Sequence, residues 1–415
     1  MAIDLSTITF TEQDDVVPAS GGEQIFNSGI ANTLAGNDRI TGSNGNNYYE
    51  ALGYGLKIYG GYGVLNTGAG NDEITGITSE NPSIDFNYGL VNEGTLNAGE
   101  GNDVIFGSGS FIRNGYYKGI YNSGTLNAGE GDDRITGLAG SNGSYGGEYG
   151  LVNEGTLNTE DGNDIITAFG LYKGIINDGA TLDMGEGNDT ITASGISSRN
   201  GSTINTGNGE DSLISQGTFF NSGGVFLGQG NDSITITSAD YDGLDALINY
   251  NFIGTEDGDD IITITSSAIY NHGVIETGNG DDSIIVDGFN GNGTPYGIYN
   301  NGGAINMGDG NDSIIANEGF ESGSNSSGAW FLGEGEDYIK GFGNGDFYGG
   351  NGNDTLELTP GTYTVGIWGE GGESPIFTKG NQLMITSEFE TLIAGGITYN
   401  FASLTAGQII TVAEV

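Results

Sequence analysis

The chain has 415 residues, 81 of them Gly and none Cys, with 55 Asp or Glu against 9 Lys or Arg and a formal net charge of -46. No disulfide or thiolate metal site can form, and so acidic a chain will not bind nucleic acid electrostatically. Gly stands far above its usual share of roughly 7%, yet the every-third spacing and abundant Pro of collagen are missing.

The N-terminus, MAIDLSTITFTEQDD, has no basic segment followed by an apolar one, so a secretory signal peptide is not expected there. No apolar run approaches the roughly 20 residues of a membrane-spanning helix. Residues 1–23 alternate in character and are expected to cap the first rung of a repeat array. From residue 24 to 357 the chain repeats itself. YGLVNEGTLNAGEGNDVIFG (88–107) returns as KGIYNSGTLNAGEGDDRITG (118–137) and YGLVNEGTLNTEDGNDIITA (149–168). Copies this close are units of a stack.

The unit centres on Gly-x-Gly-(Asn/Asp/Glu)-Asp-x-aliphatic. Its aspartates are Asp38, Asp72, Asp103, Asp133, Asp164, Asp189, Asp211, Asp232, Asp260, Asp282, Asp312, Asp337 and Asp354. Two residues after each comes Ile or Leu, from Ile40 to Leu356, and seven before most of them another large apolar residue, such as Leu65, Leu96 or Trp330. This predicts short strands whose apolar side chains point inward and whose Thr, Ser and Asn point outward. Abundant Gly and β-branched residues argue against helix.

An Asn recurs eleven or twelve residues before the aspartate: Asn27, Asn92, Asn122, Asn153, Asn177, Asn200, Asn221, Asn249, Asn271 and Asn300. Stacked, these amides could hydrogen-bond along the array, or Asn could serve a left-handed turn. The remaining residues, as in SGSFIRNGYYKG (108–119), form either a third side of the coil or loops. From Thr359 the repeat stops, and residues 358–415 read as strands and turns of a C-terminal cap.

The two glycines permit backbone conformations that turn carbonyls toward the Asp side chain. Carboxylate and carbonyl oxygens are hard ligands suited to Ca²⁺. The turn could also close without metal, through Asp-to-backbone hydrogen bonds. A column of aspartates about 4.8 Å apart is repulsive unless cations intervene, which favours calcium. The candidate ligands are the thirteen aspartates with Gly68, Gly70, Gly99, Gly101, Gly129, Gly131, Gly185, Gly187, Gly228, Gly230, Gly278, Gly280, Gly308, Gly310, Gly350 and Gly352. Turns with Glu160 or Glu256 in place of the first Gly are expected to bind weakly or in altered geometry, and the first turn, with Leu34, also lacks that Gly.

This motif, most fully YGGNGNDTL (348–356), resembles the G-G-x-G-x-D-x-U-x nonapeptide of the RTX, or hemolysin-type, calcium-binding repeat family. The resemblance spans about residues 24–357. It implies an all-β, right-handed parallel β-solenoid (β-roll or β-helix) of about 13 coils. It also implies several bound Ca²⁺ ions and secretion through type I export machinery by an uncleaved C-terminal signal. The family usually carries its metal motif on both turns of a coil. Here the second turn is the Asn turn, so calcium is expected along one edge only.

The only histidine, His272, has no partner at catalytic spacing, and nearly every acidic cluster belongs to the repeat. An enzyme is therefore not expected. The sequence reads as a secreted, extracellular or cell-surface structural protein whose rungs are held by Ca²⁺. It resembles cyanobacterial type I secreted surface and fibril proteins. Self-assembly into a coat or fibril and contact with a cell-surface polysaccharide are the partners left open; membrane insertion is not expected. A carbohydrate-binding adhesin using the Tyr-rich inserts is the alternative, and a polysaccharide-modifying enzyme the third.

Overall fold

The structure is a computed structural model that describes residues 2–18, 23–44, 53–78, 86–109, 116–140, 148–237, 245–288, 296–323, 328–369 and 374–414. Two compact units divide the chain, Met1–Gly217 and Thr218–Val415. Each is a parallel β-solenoid.

In the first unit every rung contributes one strand to each of three parallel sheets. One rung shows the plan. Tyr116–Asn122 lies in the first sheet, Thr125–Glu130 in the second and Arg134–Ala139 in the third. Ser123 and Gly124 make the corner between the first two, and Gly131 to Asp133 complete the turn between the last two. Rungs stack in strict register: Leu65, Leu96, Leu126 and Leu157 align in the second sheet, Ile74, Ile105, Ile135 and Ile166 in the third. All eight are essentially inaccessible. A buried Leu or Ile stabilises by roughly 1.5–3 kcal/mol, so each rung adds its own increment of core while the outward Thr and Asn stay wet.

The third side answers the choice between an extra face and loops. Residues after the third-sheet Ile continue as a strand, as in Val104–Gly109, and the chain re-enters the first sheet at Tyr116–Asn122. Leu56, Leu90, Ile120, Leu151 and Ile175 form that sheet's inward apolar row. The intervening inserts, 79–85, 110–115 and 141–147 among them, lie outside the described residues.

The second unit repeats the plan from Phe219–Asn221 onward. Aromatic rings fill its later rungs: Trp330 stacks on Phe347 at 4.4 Å, and both meet Phe320. Beyond Leu358 two strands still add in parallel, Gln382–Ser387 on Gly345–Gly352 and Thr391–Ala394 on Thr355–Leu358. The others, Gly361–Trp368, Ser374–Lys379, Ile397–Asn400 and Ile409–Val412, pair antiparallel. No helix among the described residues is long and apolar enough to cross a membrane.

Candidate metal centre

The aspartates stand at the corner between the second and third sheets, and all thirteen are buried, at 0–2% exposure. In the first unit the Asp103 N–H donates to Asp133 Oδ1, and Asp133 N–H to Asp164 Oδ1, each at 2.7 Å. The same bond links Asp38 to Asp72, Asp72 to Asp103, Asp164 to Asp189 and Asp189 to Asp211. In the second unit it runs from Asp232 through Asp260, Asp282, Asp312 and Asp337 to Asp354. The Asp-to-backbone bond expected of a metal-free turn is therefore made, but it occupies one carboxylate oxygen only.

The other oxygen is the informative one. Oδ2 of Asp38, Asp72, Asp103, Asp133, Asp164, Asp189, Asp260, Asp282, Asp312, Asp337 and Asp354 is buried without a hydrogen-bond partner. A buried polar atom left unmatched costs about 1–3 kcal/mol, more when charged. Neighbouring carboxylates one rung apart would repel by something on the order of 3 kcal/mol at an effective dielectric constant near 20. Burial accordingly pushes the carboxyls up: Asp133 and Asp189 to about 8, Asp103, Asp260 and Asp312 to about 7, and Asp164, Asp282, Asp337 and Asp354 to about 6.

Either a proton or a cation can neutralise such a column, and the surroundings discriminate between them. Five residues before the aspartate the side chain again faces inward. At Asp38, Asp72, Asp164, Asp260 and Asp282 it is Thr33, Thr67, Thr159, Thr255 or Thr277, whose hydroxyl borders the carboxylate. These hydroxyls donate their protons to the next rung's carbonyl, as Thr67 does to Ala98 O at 2.7 Å. They offer only lone pairs to the Asp. At Asp103, Asp133, Asp189 and Asp312 the position holds Ala98, Ala128, Met184 or Met307, which accept no ordinary hydrogen bond. A protonated Oδ2 would then be a buried donor with nothing to receive it. A cation meets both kinds of rung, so the donor set fits calcium better than a proton.

The glycines complete the corner. Every Gly named above as a ligand has positive φ, for instance Gly99 at 119° and Gly101 at 134°. A Cβ on Gly99 would lie 1.7 Å from Gly68 O, and one on Gly101 2.1 Å from Gly70 O. The carbonyls of one turn thus point at the next, and no side chain fits between them. Leu34, Glu160 and Glu256 also adopt positive φ, at 81°, 66° and 70°. Their turns keep the shape of the others at the cost of local strain. Among the described residues no group of three or more His, Cys, Asp or Glu side chains converges on one point. Any cation here would have to be held by single stacked carboxylates and backbone oxygens.

A second ladder runs beside the first in the opposite sense. The residue before the aspartate is exposed, and where it is Asn or Asp its side-chain oxygen accepts from the rung above: Asn71 N–H donates to Asn37 Oδ1 at 2.7 Å, and Asn163 N–H to Asp132 Oδ1 at 2.9 Å. The template contains this position, but its variable identity concealed that the Asn or Asp oxygen there accepts a hydrogen bond. Asp14, Asp15 and Glu390, which also join these ladders, lie in segments with no glycine turn to mark them.

The Asn corner, between the first and second sheets, is closed. Asn92, Asn122, Asn153 and Asn177 are fully buried, and each Nδ2 of the first three donates to the next Asn Oδ1 at 2.8–2.9 Å. Each also donates to a second-sheet carbonyl, as Asn122 does to Thr156 O. Asn221, Asn249, Asn271 and Asn300 repeat this at 2.9–3.0 Å. Asn200 does not belong: Ser198 pairs with Asn177, while Asn200 is exposed at φ 56° and bonds Asp178. Two extra residues lengthen that corner and move Asn200 into the left-handed role. Asn27 precedes Ile58 in the row and makes only a carbonyl bond, to Val64 O. His272 is exposed, edge-on to Tyr250 at 5.8 Å.

No family model and no curated protein matches this chain. Among solved structures it is similar to a hyperactive, Ca²⁺-dependent, β-helical antifreeze protein from an Antarctic bacterium. The two are 23% identical over 76% of this chain and 82% of that one, with a TM-score of 0.43.

Proposed function

We propose that the chain is a calcium-dependent structural protein of the cell exterior, whose rungs are tied together by Ca²⁺ along the aspartate corner. The row of buried, partnerless Asp Oδ2 atoms carries this reading. The aspartates and the carbonyl oxygens of the turn glycines would hold the ions. Bound calcium would supply charge neutralisation and would cross-link each turn to the next. Every other inter-rung bond comes from the chain itself. The Asn ladder fixes the opposite corner, and the apolar rows fix the distance between corners.

The concentration of calcium then decides where the protein folds. Extracellular calcium modules bind with Kd of about 10⁻⁴–10⁻³ M. At ~1 mM calcium a site of ~10⁻⁴ M contributes about 1.4 kcal/mol, and at cytosolic levels almost nothing. The chain would leave the cell unfolded and fold outside, which suits the type I export that the resemblance to RTX repeats implies. Circular dichroism with excess chelator at pH 8 tests the proposal: a melting transition far below that of the calcium-loaded protein, restored by millimolar calcium but not by equal sodium, is expected. A spectrum and melting transition indifferent to chelator would remove calcium from the account.

A carbohydrate-binding role is the second reading, favoured by exposed rings on the outer side of the first sheet. Phe86 stacks on Tyr116 at 5.7 Å, both about half exposed, and Lys118 lies 3.8 Å from the Tyr121 ring centre, beside Glu154. Binding of neutral oligosaccharides by the calcium-loaded protein, lost on Tyr116→Ala, would support it.

A further inference from the structure

The first rung of the solenoid is covered by a segment that imitates a rung without being one. Ala2–Asp4 pairs in parallel with Gln24, Ile25 and Phe26, extending the first sheet. Val16 and Val17 pair with Arg39 and Ile40, extending the third. Between them, Asp14 and Asp15 take the places of the Asn-Asp pair of a repeat turn. Asn37 N–H donates to Asp14 Oδ1 at 2.8 Å, as Asn71 N–H does to Asn37. Asp15 N–H donates to Asp38 Oδ1 at 2.8 Å, as Asp38 N–H does to Asp72. Arg39 N–H donates to Asp15 O at 2.8 Å, as Glu73 N–H does to Asp38 O.

The imitation fails where a further rung would have to attach. The Asp15 carboxylate turns back onto its own segment and accepts the Thr11 N–H at 2.7 Å, so it is not offered to another rung. Among the described residues no strand covers the second sheet. The short 3-10 turn Leu5–Thr7 stands there, its Leu5 fully buried against the core while Ile30 of the first second-sheet strand stays 65% exposed. Val17 is followed by Pro18, which has no N–H to offer a neighbouring strand.

The far end of the second unit uses the same substitution. Leu392 pairs with Leu356 and Ser387 with Tyr348, but between them Phe389 replaces the glycine turn. The longer Glu390 side chain reaches in to accept Asp354 N–H at 2.8 Å, where the next aspartate would be. Phe389 packs on Phe401, and antiparallel strands come after it.

We infer that residues 2–18 are an intramolecular occupant of a latent self-association surface, the first-rung edge, whose fitting partner is a second copy of this chain. A bare terminal rung presents unpaired strand edges and two open ladders, which invite stacking. Because the last rung of the second unit carries its own stopper, release of the N-terminal segment yields a dimer joined through two first-rung edges rather than a filament. The inference holds whatever neutralises the aspartate column.

The test uses the full chain in calcium with Leu5→Asp and Val17→Asp together, which expels the plug and unpairs the third-sheet edge. Light scattering should give one chain for the parent and two for the variant, at unchanged β content. A synthetic peptide of residues 2–18 should return the variant to one chain. A variant that stays monomeric although proteolysis between Thr11 and Asp15 shows its segment released would overturn the inference. Should the variant lose its β spectrum, the parent decides. Its mass must remain that of one chain up to near-millimolar concentration, and parent filaments with end-on contacts in electron micrographs would overturn the proposal.

Discussion

At one corner of most rungs stands a buried Asn, at another a buried Asp, and the two side chains have nearly the same shape. Both stack in register, and both accept a hydrogen bond through Oδ1 from the rung before, Asn122 from Asn92 Nδ2 and Asp133 from the Asp103 backbone. They differ in the remaining atom. The Asn Nδ2 is a donor and finds two acceptors, Asn153 Oδ1 and Thr156 O. The Asp Oδ2 is an acceptor among acceptors and finds none. An amide carries donor and acceptor together, so an amide column saturates itself. A carboxylate column leaves one charged oxygen per rung that the protein cannot satisfy alone. Where the Asn column is interrupted the same logic appears in small: Ile58 stands in the row before Asn92, and Asn92 Oδ1 is left without a donor.

The largest expected effect that separates the corners is on pH dependence without metal. In the folded state burial raises Asp103, Asp133, Asp164, Asp189, Asp260, Asp282, Asp312, Asp337 and Asp354 to about 6–8, against about 3.9 unfolded. Between those values the folded protein holds protons that the unfolded chain has released. The carboxyls' contribution to stability is therefore full below about pH 4 and lost as pH rises through 6 to 8. The calcium-free protein should thus melt higher at pH 5 than at pH 8. Calcium should reverse the order, because protons compete with the ion. Melting followed by circular dichroism at the two pH values, with calcium and with chelator, gives four numbers. A calcium-free protein that gains stability from pH 5 to 8 would contradict the buried-carboxylate account.

Exchanging single residues between the corners is a finer probe. Asn122→Asp removes both donors and places a charge in the amide column, so it should cost about 3 kcal/mol or more at pH 8, with or without calcium. Asp133→Asn keeps the acceptor for Asp103 N–H and removes one charge. In calcium it should destabilise by about 1–3 kcal/mol. In chelator at pH 8 it should stabilise, since the repulsion between Asp103, Asp133 and Asp164 falls. Denaturant titrations of both variants test this. The same sign for Asp133→Asn in calcium and in chelator would mean that no cation acts at that turn.

Legibility in the sequence depends on what each element repeats. The aspartates, the inward Ile and Leu rows and the left-handed glycines recur at fixed offsets because each does one job that few residues can do. The Asn ladder was readable as one of two options, since recurrence alone does not tell a stacked amide from a left-handed turn. The first sheet was readable only as one of two options, a third side of the coil or loops. Its strands differ in composition, from FNYGLVN to KGIIND to IYN, and variable inserts precede them, so no offset survives. Both ends were expected as caps, but their imitation of a turn was hidden for a related reason. Asp14, Asp15 and Glu390 do the work of a turn without its glycines, and only the register of the neighbouring strands brings them into line.

The smallest expected effect concerns the one Asn that the spacing misplaced. Asn200 sits eleven residues before Asp211, as Asn122 sits before Asp133, yet it is exposed, with φ 56°, and Ser198 occupies the buried row. A ladder Asn and a turn Asn should respond oppositely to Gly. Asn200→Gly relieves a left-handed residue of its Cβ and loses one exposed bond to Asp178, so stability should move by no more than a few tenths of a kcal/mol. Asn122→Gly empties a buried position and strips Asn92 Nδ2 of its amide acceptor, which should cost about 1–3 kcal/mol. The pair separates two explanations of the recurring Asn that sequence leaves entangled. If both substitutions cost alike in denaturant titration, the amide ladder contributes nothing beyond the turn, and the contrast between the corners reduces to charge alone.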